Sequence, residues 1–163
     1  MRVLLLLAVF VSLSFGVVQA ANNSVAVTHS MAVTVPVFTR HFPHANSANE
    51  HNYGVGLEYL VRKNVSLTAG IFNNSLRKNT CYVGMIYTPF YVAGLHTGII
   101  IGLDVSGGYN SINPWKPIIG TLHFTTGNES PIGLNIDVLP GGKNKDSTTY
   151  MYGAVAVSMK YSF

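Results

Sequence analysis

The final segment of the chain alternates without a break. Val155, Val157, Met159, Tyr161 and Phe163 are apolar, and Ala154, Ala156, Ser158, Lys160 and Ser162 between them are small or polar. Successive side chains of a strand point to opposite faces, so this period of two gives one apolar row and one small, polar row. Turn signals cut the rest of the chain into further strand-length pieces, about eight in all, and no helical periodicity competes with them. Their expected spans are 25–39, 53–62, 65–73, 80–88, 91–105, 117–125, 131–139 and 150–163. The second sorts Tyr53, Val55, Leu57, Tyr59 and Val61 to one face, and Gly54, Gly56, Glu58 and Leu60 to the other. The fifth sorts Tyr91, Ala93, Leu95, Thr97, Ile99, Ile101 and Leu103 against Gly94, His96, Gly98, Gly102 and Asp104.

Apolar-out, polar-in alternation predicts an all-β fold, an eight-stranded antiparallel transmembrane β-barrel. Turn lengths agree. Lys63-Asn64, Pro89-Phe90 and the Gly127-Asn128 region are short, whereas 40–52, 106–116 and 140–149 are long, with a shorter connection at 73–79. Short turns face the periplasm in such barrels and long loops face outward, so the first strand rises from the periplasm and Phe163 finishes there.

Composition narrows the setting. Hydrophobic residues make up 48% of the chain and charged residues 10%, too few charges to solvate a soluble domain of this size, and a lipid-facing wall removes the shortage. Residues 1–20 carry Arg2, an apolar run at 3–11 and the small-residue exit Val18-Gln19-Ala20, the layout of a secretory signal. Cleavage there would leave a single barrel domain at 21–163 with nine Lys and Arg against six Asp and Glu, too slight an excess to argue for nucleic acid. After the signal no uninterrupted apolar run reaches membrane-helix length. The single cysteine, Cys81, excludes an intramolecular disulfide framework and reads as a small hydrophobe in a strand.

The glycine-rich inner face has two readings: a wall that leaves a cavity, or relief of strain where a small barrel bends. Inward charges need partners in a low-dielectric interior, and Glu58, Asp104, Asp137, Lys160, His96 and His123 are expected to form a structural network. Only the outer rim gathers residues suited to chemistry. The first strand ends Thr39-Arg40-His41 and the third ends Phe72-Asn73-Asn74-Ser75, so His41 and Ser75 come near one another above the barrel. A neutral imidazole accepts a hydroxyl proton, and a serine hydroxyl needs such a base to act on an ester. Asn74 can orient the imidazole or donate to an oxyanion, although it points to the opposite face unless the loop twists. The same residues also suit ordinary solvated loops, and His44 is a second candidate base.

Four pieces in order carry a resemblance. Pro36-Val37-Phe38-Thr39-Arg40-His41 is similar to a P-x-x-T-x-H run, and Asn49-Glu50 followed by Gly54-Val55-Gly56-Leu57 to an N-E and G-x-G-L entry. Ala69-Gly70-Ile71-Phe72-Asn73-Asn74-Ser75 is similar to A-x-A-F-x-D-S, and Leu139-Pro140-Gly141 to I-P-G. Over roughly residues 30–163 the chain thus resembles the outer-membrane lipid A palmitoyltransferase (PagP) family, eight-stranded barrels that move a palmitoyl chain from a glycerophospholipid to lipid A. The resemblance implies that His41 is the base, Ser75 the hydroxyl beside the reacting ester, and Asn74 the residue standing where the family has aspartate. Asparagine orients an imidazole by hydrogen bonding but supplies no charge. It further implies phospholipid and lipid A as partners, no cofactor or metal, and a monomer in the outer membrane of a Gram-negative cell, encoded by the cell or by its virus.

The chain departs from the family at two places. Only about four residues separate the expected cleavage site from position 25, so no amphipathic helix is expected before the barrel. Residues 42–52 also contain no Lys or Arg, leaving Arg40, Arg77, Lys78, Lys143 and Lys145 as the cations for lipid phosphates. Pro114, Pro117 and Pro131 flank the sixth and seventh strands, where missing ladder donors would open a lateral route for a chain or merely punctuate loops. Trp115 suits an interfacial girdle. The competing expectation is a non-catalytic barrel of surface, adhesion or superinfection-exclusion type.

Overall fold

The structure, a computed structural model, describes residues 29–42, 48–109, 113, 115–143, 150–151 and 153–163. The expected signal segment, His44, Pro114 and Lys145 lie outside the described residues. Eight strands close into an antiparallel barrel: β1 (Met31–Phe42), β2 (Gly54–Arg62), β3 (Val65–Asn73), β4 (Asn79–Val92), β5 (Leu95–Asp104), β6 (Ile118–Thr125), β7 (Ile132–Leu139) and β10 (Gly153–Ser162). Each pairs with its sequence neighbours, and β10 pairs back to β1 from Ala32↔Ser162 to Phe42↔Gly153. Reciprocal backbone hydrogen bonds between Met31 and Phe163 tie the two ends of the wall. A two-stranded ribbon, β8 (Gly142–Lys143) with β9 (Tyr150–Met151), sits in the last connection. The expected closing strand is therefore split, its first two residues belonging to this ribbon.

Burial is inverted relative to a soluble protein. Among the described residues, the fully buried apolar side chains are only Ala32, Ile86 and Ala154, whereas threonines, asparagines, histidines, Glu58, Asp104 and Lys160 are buried. Leu57, Met85, Ile101, Met159 and Tyr161 stand outward. That is the distribution a hydrocarbon solvent demands. Met85, at the centre of β4 and 46% exposed, tests it. Met85→Arg is expected to destabilise the barrel refolded in lipid vesicles by about 2–4 kcal/mol, against roughly 0–1 kcal/mol for Tyr53→Arg at the rim. Equal costs in urea unfolding would contradict a lipid-facing wall.

The long connections share one rim, as the alternating lengths predict, but the β3–β4 connection on that rim, 74–78, is one residue shorter than the 126–131 turn on the opposite rim. One turn is misplaced by the sequence reading: Pro89-Phe90 lies inside β4, at a register shift between Tyr87 and Phe90, and the hairpin turns at Ala93-Gly94 instead. Both turn residues have positive φ, 51° and 86°, as a two-residue turn matched to strand twist requires. Proline is tolerated there because a bulge leaves its position outside the ladder. At the same bulge Gly98 passes so close to the Tyr87 carbonyl that a Cβ would collide with it.

The glycine wall is explained partly by a tyrosine. Gly56 and Gly70 leave room for the Tyr82 ring, which fills the lumen at their level with its phenol beside the Thr34 and Thr68 hydroxyls. The inward charges divide into separate groups. Lys160 pairs with Glu58 at 3.0 Å, and Asn135 donates to Glu58 at 2.6 Å, closing the lumen toward the short-turn rim. His123 meets Asp137 at 2.7 Å. His96 bonds Glu129 at the short-turn rim instead of entering the network, and Asp104 accepts backbone N–H groups of Ser106, Gly107 and Tyr109, folding the loop after β5.

Two seams are only half zipped. The β1–β2 ladder runs from Met31↔Tyr59 to Thr34↔Gly56, and the β6–β7 ladder from Leu122↔Val138 to Thr125↔Asn135. In both, the portion toward the long-loop rim lacks strand pairing. The unpaired stretch of β6 follows Pro117, which fits the lateral-gap alternative, whereas Pro131 precedes β7 at the opposite rim and only punctuates a turn; a second gap begins where β1 reaches Pro36.

Candidate functional site

A β-bulge builds the site. Ala32 and Thr34 face the lumen, and continued alternation would turn residues 36, 38 and 40 inward and His41 outward. The register slips between Pro36 and Phe38, so that Pro36 pairs with Ser158 but Phe38 with Val157. Beyond the slip the faces exchange: Val37 and Phe38 point out, while Thr39 and His41 are buried. The His41 ring, 4% exposed, thereby enters the mouth of the barrel.

Ser75 arrives from the loop after β3, and its Oγ lies 2.7 Å from His41 Nε2. The pair forms the expected base–hydroxyl contact. On the far side of the ring, Nδ1 has no hydrogen-bond partner and faces Glu50 Oε1 at 3.8 Å. That is beyond hydrogen-bond length but within ion-pair range. The same Glu50 oxygen accepts the His41 backbone N–H at 3.3 Å, and its other oxygen accepts from Arg40 at 3.1 Å. The segment carrying Glu50 is pinned on both sides, by Thr39 N–H to the Glu50 carbonyl and by Asn49 N–H to the Ser75 carbonyl, each at 2.9 Å. Side-chain amides continue the lacing, Asn49 reaching Asn73 and Asn52 reaching the Asn73 carbonyl.

Asn74 does something different from the expectation. Its fully buried side chain accepts the backbone N–H groups of Leu76 and Lys78 and donates to Thr80 Oγ1 at 3.0 Å. These bonds fold the tight β3–β4 loop that presents Ser75, where Arg77 adopts a φ of 61°. The amide faces away from the imidazole because Ser75 and Asn74, as neighbours in the chain, point to opposite sides. Of the three predicted residues the structure joins two, His41 and Ser75, and makes the third their scaffold; the acid beside the ring is Glu50. Asn49-Glu50 stood out in the sequence only as part of a matching run.

Tyr109 was missed as well. From the loop that Asp104 folds, its phenol sits within hydrogen-bonding reach of the Ser75 hydroxyl and backbone, with its ring against Phe72. Burial pushes this phenol above its ordinary value of 10.0, outweighing the Ser75 hydrogen bonds. It therefore stays protonated and able to donate. Nothing in the local sequence around Tyr109 marks it.

Beneath these residues the lumen holds a cavity of about 160 Å³. Thr39, Asn52, Ser75 and Tyr109 surround its mouth, and Phe72, Tyr82, Ile100, Ile119, Leu139 and Ala154 line its mostly apolar wall. A second space of about 60 Å³ lies below, bounded by Tyr82, Asn135, Asp137 and Glu58. Ser75, in contact with His41, thus borders the mouth of an apolar space comparable to a cavity that accepts a benzene-sized group. Among the described residues no cluster of His, Cys, Asp and Glu suits a metal ion.

No family model matches the chain, and no curated protein matches it. Among solved structures the chain is similar to a de novo designed transmembrane β-barrel, at 16% identity and a TM-score of 0.52, covering 83% of this chain and 96% of that one. The likeness carries the fold, a closed membrane-spanning barrel.

Proposed function

We propose that this barrel is an outer-membrane acyltransferase that moves an acyl chain from a phospholipid to lipid A, in the manner of the lipid A palmitoyltransferases it resembles. The observation that carries the reading is the His41–Ser75 contact of 2.7 Å at the mouth of the apolar lumen. The acyl chain occupies the shaft and its ester rests at the rim. His41 Nε2 takes the Ser75 proton as Oγ attacks the ester carbonyl, and the departing lysophospholipid leaves with that proton. A lipid A hydroxyl then attacks the acyl-Ser75 carbonyl, giving its proton to His41, which returns it to Ser75 Oγ. Glu50 stabilises the imidazolium between these transfers, and Tyr109 donates to the oxyanion.

The half-zipped seams supply side entrances at lipid level, so neither lipid has to leave the bilayer. Arg77 and Lys78, on the loop beside Ser75, are the cations suited to phosphates, whereas Arg40 is engaged by Glu50. The plug formed by Glu58 and Lys160 closes only the lower lumen, which leaves the upper shaft for a ligand.

The test is to produce the mature chain in outer membranes and weigh the extracted lipid A. A gain of one acyl chain is expected, lost in His41→Ala. A folded, abundant barrel without that gain would refute the reading.

A further inference from the structure

The upper cavity has a floor and an open side. Tyr82 is the floor. It pairs with Gly70, three rungs below the Asn73↔Asn79 end of the β3–β4 ladder, and its ring crosses the lumen at that level. A Cβ on Gly56 would lie 2.7 Å from the phenol oxygen and one on Gly70 2.8 Å from a ring carbon, so both glycines are cut to this ring. The phenol is held by the Thr34 and Thr68 hydroxyls, and Phe72 meets the ring edge at 5.9 Å between centroids. Further down, the Glu58–Lys160 pair and Asn135 close the lumen.

The open side is the β6–β7 seam. Thr121 still reaches Asp137 across it at 3.3 Å, but above that level no rung joins the two strands. Ile119 on β6 and Leu139 on β7 belong to the stretch left unpaired across the seam, and both line the cavity. The outer wall is thin beside them, at Gly120, which is exposed. A Cβ there would meet only the Ile100 carbonyl oxygen of β5, at 3.9 Å, and no atom of β7 within 4 Å.

Capacity decides what a chain does between floor and seam. A cavity of about 150 Å³ accepts benzene, so one of about 160 Å³ takes about six to eight carbons of an alkyl chain. A palmitoyl chain is longer than that. Pushing the remainder down would unseat Tyr82 and break its hydrogen bonds to the two threonines. Passing it through the seam returns it to hydrocarbon, where its apolar surface stays out of water.

We infer that the barrel holds only the ester-proximal part of the acyl chain, and that the rest leaves between β6 and β7 above Thr121 and stays in the bilayer. The inference rests on the reading that the lumen binds an acyl chain. It makes the site blind to what lies beyond the first carbons, whereas a lumen that enclosed the whole chain would select by total length.

The experiment uses phospholipids with one ether-linked hexadecyl chain, which anchors them in the micelle, and one ester-linked chain at either glycerol position. The ester chains are octanoyl, dodecanoyl, palmitoyl, stearoyl, and one of palmitoyl length ending in a pyrenyl group too wide to share the cavity with an alkyl chain. An equimolar mixture is given to the purified barrel with lipid A in a steroid detergent, and the mass gained by lipid A reports which chain moved. All five chains are expected to move at equal rates. Gly120→Phe, which covers the opening, is expected to slow the palmitoyl, stearoyl and pyrenyl chains about tenfold relative to octanoyl, the usual cost of overpacking. Should this variant fail to fold, the profile of the unaltered barrel decides alone. A single preferred length, or exclusion of the pyrenyl chain, would overturn the inference while leaving acyl transfer intact. A Gly120→Phe effect equal on all chains would overturn the exit between β6 and β7. No transfer of any chain would overturn the acyltransferase reading and the inference with it.

Discussion

Replacing His41 or Ser75 with alanine is expected to slow acyl transfer roughly 10²–10⁴-fold, the usual worth of a positioned acid–base group. The double variant should be no slower than the worse single one, because groups that act as a unit lose their joint contribution when either is removed. Release of lysophospholipid by the purified barrel in mixed micelles measures this. Glu50→Gln should cost less, about tenfold, since Glu50 stands 3.8 Å from the ring and acts by charge instead of a direct hydrogen bond. Asn74→Ala separates the two candidate partners of His41. It removes three hydrogen bonds from the loop that presents Ser75, each worth about 0.5–1.5 kcal/mol, and should lower stability together with activity. A Glu50→Gln barrel as fast as the unaltered one, with Asn74→Asp strongly accelerated, would reverse these assignments.

Lys160→Met is expected to destabilise the barrel by about 3–5 kcal/mol, because it strands the Glu58 carboxylate in the closed lower lumen. Both side chains are nearly inaccessible, at 3% and 6%, so solvent does little to relieve the lone charge. Asn135 and Thr125, the remaining polar neighbours of the pair, cannot neutralise it. Combining Lys160→Met with Glu58→Leu should recover part of the loss, since an apolar pair avoids desolvating either charge but leaves the buried Asn135 amide without its acceptor. Urea unfolding in vesicles reads both quantities. A single variant as stable as the starting protein would mean that the lower lumen is wetter than this packing implies.

Much of the fold was legible because lipid imposes a strict code on each strand. The spans of β2 and β3 and both faces of β10 follow from alternation alone, and loop lengths placed the two rims. Interruptions of that code were harder to read. Pro89-Phe90 has turn chemistry, yet the hairpin turns where Ala93-Gly94 can adopt positive φ, and the proline is absorbed by a bulge. The bulge at Pro36 had greater consequences. Strict alternation sends His41 to the lipid, and only the one-residue slip brings it to Ser75. Proline was the visible signal, since it cannot serve a continuous ladder.

The site was half legible for a related reason. His41 near the end of β1 and Ser75 just beyond β3 fall on the same rim by topology, and the slip at Pro36 then turns the imidazole toward the hydroxyl. Glu50 lies in a connection whose path is set by cross-loop hydrogen bonds to Thr39 and Ser75, which periodicity does not encode. Tyr109 reaches Ser75 only because Asp104 folds the loop before it. Loop chemistry of this kind depends on which backbone groups lack partners, and that is settled by the closed barrel.

The central claim is that the lumen receives an acyl chain whose polar end lies against Ser75. A crystal structure of the barrel grown from a single-chain alkyl detergent tests it most directly. One alkyl chain is expected inside the shaft, running past Phe72, Tyr82 and Ile100, with its head group at the His41–Ser75 contact. Detergent bound only around the outer wall, above a lumen filled by water or by repacked side chains, would contradict it.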